Sequence, residues 1–208
     1  MTSHLIKVFE RILRKRIVHH LETHGLISPN QHGFRKGRNC LTQLLHHIDE
    51  IMNDLDCDAN ADVIYLDFSK AFDKVDHAIL LKKLKSYGIT GKLYNWLESF
   101  LSDRQQFVSI EGIRSFCTLV LSGVSQGTVL GPLLFLISID DTVLVVKNSR
   151  VKIFADDSKL HKKITSLIDR LLLQRDLEKV LQWAEKNNME LNQEKLQLLH
   201  HGKNGDLK

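Results

Sequence analysis

VIYLDFSKAFDKVDH (residues 63–77) and FADDSKL (residues 154–160) are the stretches on which the fold turns. In the first, Val63 to Leu66 form a short apolar, β-branched run stopped by Asp67, the pattern of a buried strand that ends at a carboxylate. In the second, Val151 to Phe154 form the same kind of run, stopped by Asp156 and Asp157. Ser158 to Lys163 then resume an extended pattern, so the two carboxylates fall at a hairpin turn. If the strands are neighbours, all three carboxylates meet at one sheet edge. Like charges held that close repel, and one tends to protonate unless a divalent cation is present. Hard oxygen donors suit Mg²⁺, and three carboxylates can hold two such ions for phosphoryl transfer. The residues leave a plainer reading open. Asp-Asp pairs are common in exposed turns, Asp67 can cap a helix, and Asp140-Asp141 shows how ordinary an acidic pair is.

Outward from these strands, helical patterns dominate. Leu5, Val8, Phe9, Ile12, Leu13, Ile17 and Leu21 recur at helical spacing over residues 4–24, with Gly25 as a C-terminal cap. ISPNQHGFRKGRN reads as an irregular basic loop. Asn39 then caps a helix whose apolar stripe is Leu41, Leu44, Leu45, Ile48 and Met52. Asp76 caps a helix running toward Gly88, and a second helix carries Leu93, Trp96, Leu97 and Phe100. Residues 105–110 and 114–121 alternate around Glu111-Gly112 as a hairpin. Thr128 to about Ile139 form a buried helix with Pro132 in its first turn. Residues 166–187 form a further amphipathic helix, and MELNQEKLQLLHH returns a strand. Strands separated by helix pairs and hairpins predict an α+β sheet with helices on one face.

The 208 residues are 43% hydrophobic, enough for a core, with no run of eighteen uncharged apolar residues and no secretory signal. The chain therefore reads as soluble and intracellular, without a membrane partner. Cys40, Cys57 and Cys117 make no CxxC pair and read as half-buried thiols, neither a disulfide framework nor a zinc site. The net charge of +4 is uneven: the first 38 residues carry +6 and the remainder −2. A basic end of that kind attracts phosphate backbones, and it is also what a solvated helix face looks like.

Five segments, in order, resemble the reverse transcriptases of mobile elements without long terminal repeats, of the jockey-like and LINE-like group. They are QHGFRKGRNCLTQLL (31–45), VIYLDFSKAFDKVDH (63–77), SGVSQGTVLGPLLFLISIDD (122–141), FADDSKL (154–160) and LNQEK (191–195). The resemblance implies a right-hand polymerase palm, a small antiparallel sheet backed by helices, over residues 63–208. Residues 1–62 become partial helical fingers, the thumb is missing, and the whole is one truncated reverse transcriptase domain. It makes Asp67, Asp156 and Asp157 the metal-binding triad for two Mg²⁺ ions (Mn²⁺ as substitute), with the Phe68 carbonyl as a further ligand. Phe72 becomes the aromatic gate against a 2′-hydroxyl. Gln126 and Gly127 lie against the incoming nucleotide and template, Arg35 and Arg38 approach its triphosphate, and Lys195 donates a proton to the pyrophosphate.

The implied function is RNA-directed DNA polymerisation, a nucleotidyl transfer with an RNA template, a DNA primer and deoxynucleoside triphosphates as partners; nuclear residence follows from the family alone. The alternative is a catalytically inactive truncated remnant that at most binds nucleic acid. A plain helical nucleic-acid-binding module would not need FADD, SQG and LDFSKAF together. Ser125 stands where the family usually has proline, which predicts a looser turn and reduced activity, and Ser138-Ile139-Asp140-Asp141 in place of its tyrosine-isoleucine-asparagine-aspartate marks drift from the family pattern.

Overall fold

A computed structural model describes residues 4–202. In chain order the elements are α1 (His4–Thr23), α2 (Cys40–Asp56), β1 (Asn60–Leu66), α3 (His77–Ser86), α4 (Gly91–Leu101), β2 (Gln105–Gln106), β3 (Ser109–Ile110), β4 (Ile113–Arg114), β5 (Thr118–Leu119), α5 (Gly131–Ile139), β6 (Arg150–Phe154), β7 (Asp157–Ile164), α6 (Leu167–Lys186) and β8 (Gln197–His201). A short 3-10 turn, Asp140–Leu144, follows α5. No helix among the described residues is long and apolar enough to cross a membrane.

Two compact units interleave along the sequence, one of Met1–Leu26 with Phe72–Ser138, the other of Ile27–Ala71 with Ile139–Lys208. In the first unit, α5 begins three residues later than the apolar run. Thr128 to Leu130 form a turn whose backbone is held from α1: Glu10 Oε2 accepts the Val129 and Leu130 N–H groups at 2.6 and 3.0 Å. Glu10 is 0% exposed, so a charge that reads as one of many on a basic helix is in fact the cap of a buried helix. Replacing it by alanine strands two donors. We expect a loss of about 2 kcal/mol, lowering the melting midpoint by roughly 4–8 °C in thermal denaturation followed by circular dichroism.

The second unit is built on an antiparallel sheet of order β6-β7-β1-β8. β1 lies between β7 and β8, and α2 and α6 use one face each. Ala61 and Val63 pack on Ile51 of α2, whereas Asp62, pointing the other way, takes an ion pair from Arg170 of α6 at 3.2 Å. The sheet of this unit is therefore covered on both faces, not one.

Helix periodicity misled at α2. Its buried positions are Gln43, His47, Ile51 and Asp54, while Leu41 (61% exposed) and Met52 (51% exposed) point outward with the rest of the apolar stripe. The sheet surface that α2 meets carries Lys152, Lys159, His161 and Tyr65, and it selects the polar side of the helix. Lys152 pairs with Glu50 at 3.0 Å and Lys159 Nζ reaches Gln43 at 3.5 Å. The outer half of α1's stripe, Leu5, Val8, Phe9 and Ile12, is also exposed, whereas Ile17 and Leu21 are buried. Cys40, Cys57 and Cys117 are free and exposed, not half-buried: Cys40 opens α2, Cys57 follows its end, and Cys117 lies in the hairpin of β2 to β5.

Candidate active site

Register decides how the carboxylates meet. β7 pairs with β6 through Phe154↔Asp157, leaving Ala155 and Asp156 as a two-residue turn, and pairs with β1 through Leu66↔Ser158. Asp67, one residue past the end of β1, thus comes up beside Asp157 at the start of β7. Both line an open cavity of about 280 Å³, together with Cys40, Gln43, Lys159 and Lys195. Asp156 sits next to them at the turn. Lys195 Nζ donates to Asp67 Oδ2 at 2.7 Å, and that hydrogen bond and charge raise the lysine's affinity for its proton. Partial burial, then the charges of Asp156 and Asp67, push the Asp157 carboxyl above its usual range, opposed by Lys195 and Lys159. Asp157 reaches solvent, so water softens the burial contribution and like-charge repulsion is the firmer cause.

Chain segments distant in sequence hold this edge. Asn192 N donates to Asp67 O and Ser69 N to Glu190 O, both at 2.8 Å, closing a bridge between Phe68 and Leu191 that brings Lys195 to Asp67. The Phe68 ring is buried edge-on against Trp183, 5.9 Å between centroids. Trp183 Nε1 in turn donates to Asp141 at 3.2 Å, and Asp140 accepts Ser28 N–H at 2.9 Å, so the second acidic pair is structural.

On the other side, residues 30–32 run along β6, with His32 N on Ile153 O at 2.8 Å and Ile153 N on Asn30 O at 3.0 Å. Gln31, 0% exposed, accepts the N–H groups of Gly33 and Ala155 through Oε1 at 2.8 and 3.1 Å. It pins the aspartate turn, whose Ala155 holds a φ of +54°. Sequence reading singled out the basic residues of this loop and missed Gln31. A buried amide looks like any polar loop residue until its partner is known. Arg35 Nη1 donates to Ser28 O at 2.8 Å and Arg38 Nη1 to Gln31 O at 3.2 Å and to Pro29 O, so both arginines brace the loop backbone.

The remaining candidates gather in the other unit. Phe72 stacks on Phe135 of α5, with centroids 4.2 Å apart and planes at 16°. Val124 N donates to Phe72 O and Gly123 N to Val75 O, both at 2.8 Å, and Gln126 Nε2 reaches Asp73 Oδ1 at 3.4 Å. Gly123 has a φ of +88°, and a Cβ there would lie 2.8 Å from Asp73 O, so this close pairing requires glycine. Gly127, at φ +81°, turns the chain toward α5. Thr128 Oγ1 donates to Ser125 O at 2.7 Å, which fixes the turn that lacks the proline.

A small antiparallel sheet with a carboxylate edge and flanking helices defines the class, a right-hand polymerase fold. The chain is similar to the solved telomerase of Candida tropicalis bound to a telomeric RNA fragment, with a TM-score of 0.69 at 14% identity, over 98% of this chain and 34% of that one. Residues 1–206 match the reverse transcriptase (RNA-dependent DNA polymerase) family, whose members generally use divalent metals, and the chain belongs to that family. Among curated relatives it is 34% identical over 155 residues to the probable RNA-directed DNA polymerase from transposon X-element of Drosophila melanogaster, covering 73% of this chain and 17% of that protein. It is 32% identical over 194 residues to the RNA-directed DNA polymerase from mobile element jockey of Drosophila funebris, covering 89% of this chain and 21% of that protein. The chain thus spans about a fifth of the length of these relatives.

Proposed function

We propose that this chain carries the polymerising centre of an RNA-directed DNA polymerase, adding deoxynucleotides to a primer 3′-hydroxyl paired to an RNA template. The observation that carries the reading is the convergence of Asp67, Asp156 and Asp157 at one sheet edge with Lys195 bonded to Asp67. The donor set fits Mg²⁺: hard carboxylate oxygens repel one another, and the carboxylate nearest the lysine already binds a cation. Asp67, Asp156, Asp157 and the Phe68 carbonyl would hold the metal. Bound there, two Mg²⁺ ions supply the positive charge that favours the attacking alkoxide and the departing pyrophosphate.

The chain's own residues do the rest. Lys195 is kept protonated by Asp67, as a donor to the leaving pyrophosphate must be. The bridge between Phe68 and Leu191 and the Gln31 clamp hold the acidic edge in place before substrate arrives, which is the positioning an in-line attack needs. Arg35 and Arg38 present the basic loop to the triphosphate. Phe72, held flat on Phe135, supplies a rigid wall against a 2′-hydroxyl, and Gln126 and Gly127, tied to the Phe72 segment, meet the incoming base pair. Shortening Phe72 to valine relaxes that wall. Ribonucleotide incorporation relative to deoxynucleotide incorporation should rise roughly 10-fold or more in single-nucleotide extension.

The deciding assay is primer extension on an RNA template with deoxynucleotides and Mg²⁺, beside a double substitution of Asp156 and Asp157 to alanine. Extension that the double variant lacks supports the reading. Silence from a folded parent chain that still binds primer and template supports instead a remnant confined to nucleic-acid binding.

A further inference from the structure

The inward face of α2 carries a cluster that polymerisation does not use. His47 and Glu50, one turn apart on α2, meet His161 of β7, and one ligand atom from each lies within 4.8 Å of the other two. His47 and His161 are each 1% exposed. His47 Nδ1, Glu50 Oε2 and His161 Nδ1 are buried and make no hydrogen bond. Three buried polar atoms without a hydrogen bond in one cluster are unusual in a folded interior, where such groups find partners.

The second polar atoms of His47 and Glu50 have partners of their own. Tyr65 Oη lies 3.4 Å from His47 Nε2, and Lys152 Nζ lies 3.0 Å from Glu50 Oε1. Glu50 Oε2 then sits 3.7 Å from His161 Nδ1. Asp54 Oδ2 lies 3.0 Å from His161 Nε2, although that ring nitrogen too makes no hydrogen bond. A carboxylate behind an imidazole is the arrangement that orients a metal-bound histidine and raises its basicity.

We propose that His47, Glu50 and His161 bind one Zn²⁺ ion, with a solvent molecule in the fourth position. Two imidazoles and one carboxylate suit tetrahedral zinc, whereas Mg²⁺ and Ca²⁺ prefer oxygen donors throughout. The ion would fasten α2 to β7. His161 pairs with Val63 of β1, three residue pairs before Leu66↔Ser158, so the clamp lies behind the strand ends that carry Asp67 and Asp157. Both histidines are buried, and the cluster is separate from the acidic edge.

The test uses the whole chain after chelator treatment and dialysis, titrated with Zn²⁺ in excess Mg²⁺ by calorimetry and followed by thermal melting. Because three exposed thiols offer a competing site, the parent carries Cys40→Ser, Cys57→Ser and Cys117→Ser. We expect one Zn²⁺ per chain, a higher melting midpoint with the metal, and affinity weakened roughly 100-fold or more by His47→Gln or Glu50→Gln. Glu50 is partly exposed and should be replaceable without unfolding the chain, so Glu50→Gln decides the matter if the His47 variant does not fold. Absence of stoichiometric binding by the folded parent overturns the proposal. Binding that Glu50→Gln leaves unchanged overturns it equally.

Discussion

Replacing Asp157 by asparagine should reduce primer extension by about 1,000-fold or more and, in the same stroke, raise the melting midpoint of the metal-free chain. The first half follows from what the carboxylate is proposed to hold: several kcal/mol of charge stabilisation in phosphoryl transfer amounts to about three powers of ten in rate. The second follows from its surroundings. Asp156 and Asp67 both push the Asp157 carboxyl above its ordinary range. A carboxylate whose folded-state pKa is raised costs stability above that pKa, and the cost disappears as the pH falls through it. Asparagine keeps the shape without the charge. The midpoint difference between variant and parent should therefore be present at pH 7 and shrink as the pH drops through the raised pKa of Asp157. Melting curves of both chains from pH 7 to pH 4, in chelator, check this. A variant less stable than its parent at pH 7 would show that Asp157 is a structural residue. The expected exchange of stability for activity is the usual mark of a strained functional site.

Gly33→Ala should be nearly as damaging, through geometry and not charge. A Cβ on Gly33 would lie 2.4 Å from Ala155 N and 3.0 Å from its Cα. Both are backbone atoms of the turn that carries Asp156, so no side chain can swing aside to make room. Moving the turn away breaks the Gln31 clamp, because Oε1 bonds Gly33 N and Ala155 N together. We expect a loss of about 3 kcal/mol, or roughly 6–12 °C in midpoint, together with at least a tenfold fall in extension at temperatures where the variant is folded. Gln31→Ala provides the companion measurement. It removes the clamp without the clash and should lower extension more than it lowers stability.

Much of the architecture was legible because local signals and tertiary packing agreed. Asn39 and Asp76 cap the helices they were read to cap. The two-residue turn at Ala155-Asp156 and the return of β8 to β1 follow from alternation and from the residues that stop each run. The resemblance to non-long-terminal-repeat reverse transcriptases rested on five motifs in order, and the family match over residues 1–206 agrees with it. The faces of α2 and the partners of Glu10 were not legible. Periodicity reports that a helix has two sides but not which one a neighbouring strand will accept, and a buried charge is recognisable only beside the groups that satisfy it.

By itself, then, the sequence determined the strands, the caps, the carboxylates that end the strands and the family to which they belong, because each depends on residues close together in the chain. Tertiary structure alone decided the register that places Asp67 beside Asp157, the Gln31 and Gly33 contacts that hold the turn, and the inward polar face of α2 that assembles His47, Glu50 and His161. Those depend on pairings across tens to more than a hundred residues. There the choice among partners is made by packing and by the cost of leaving a buried polar group unpaired, and no local pattern records it.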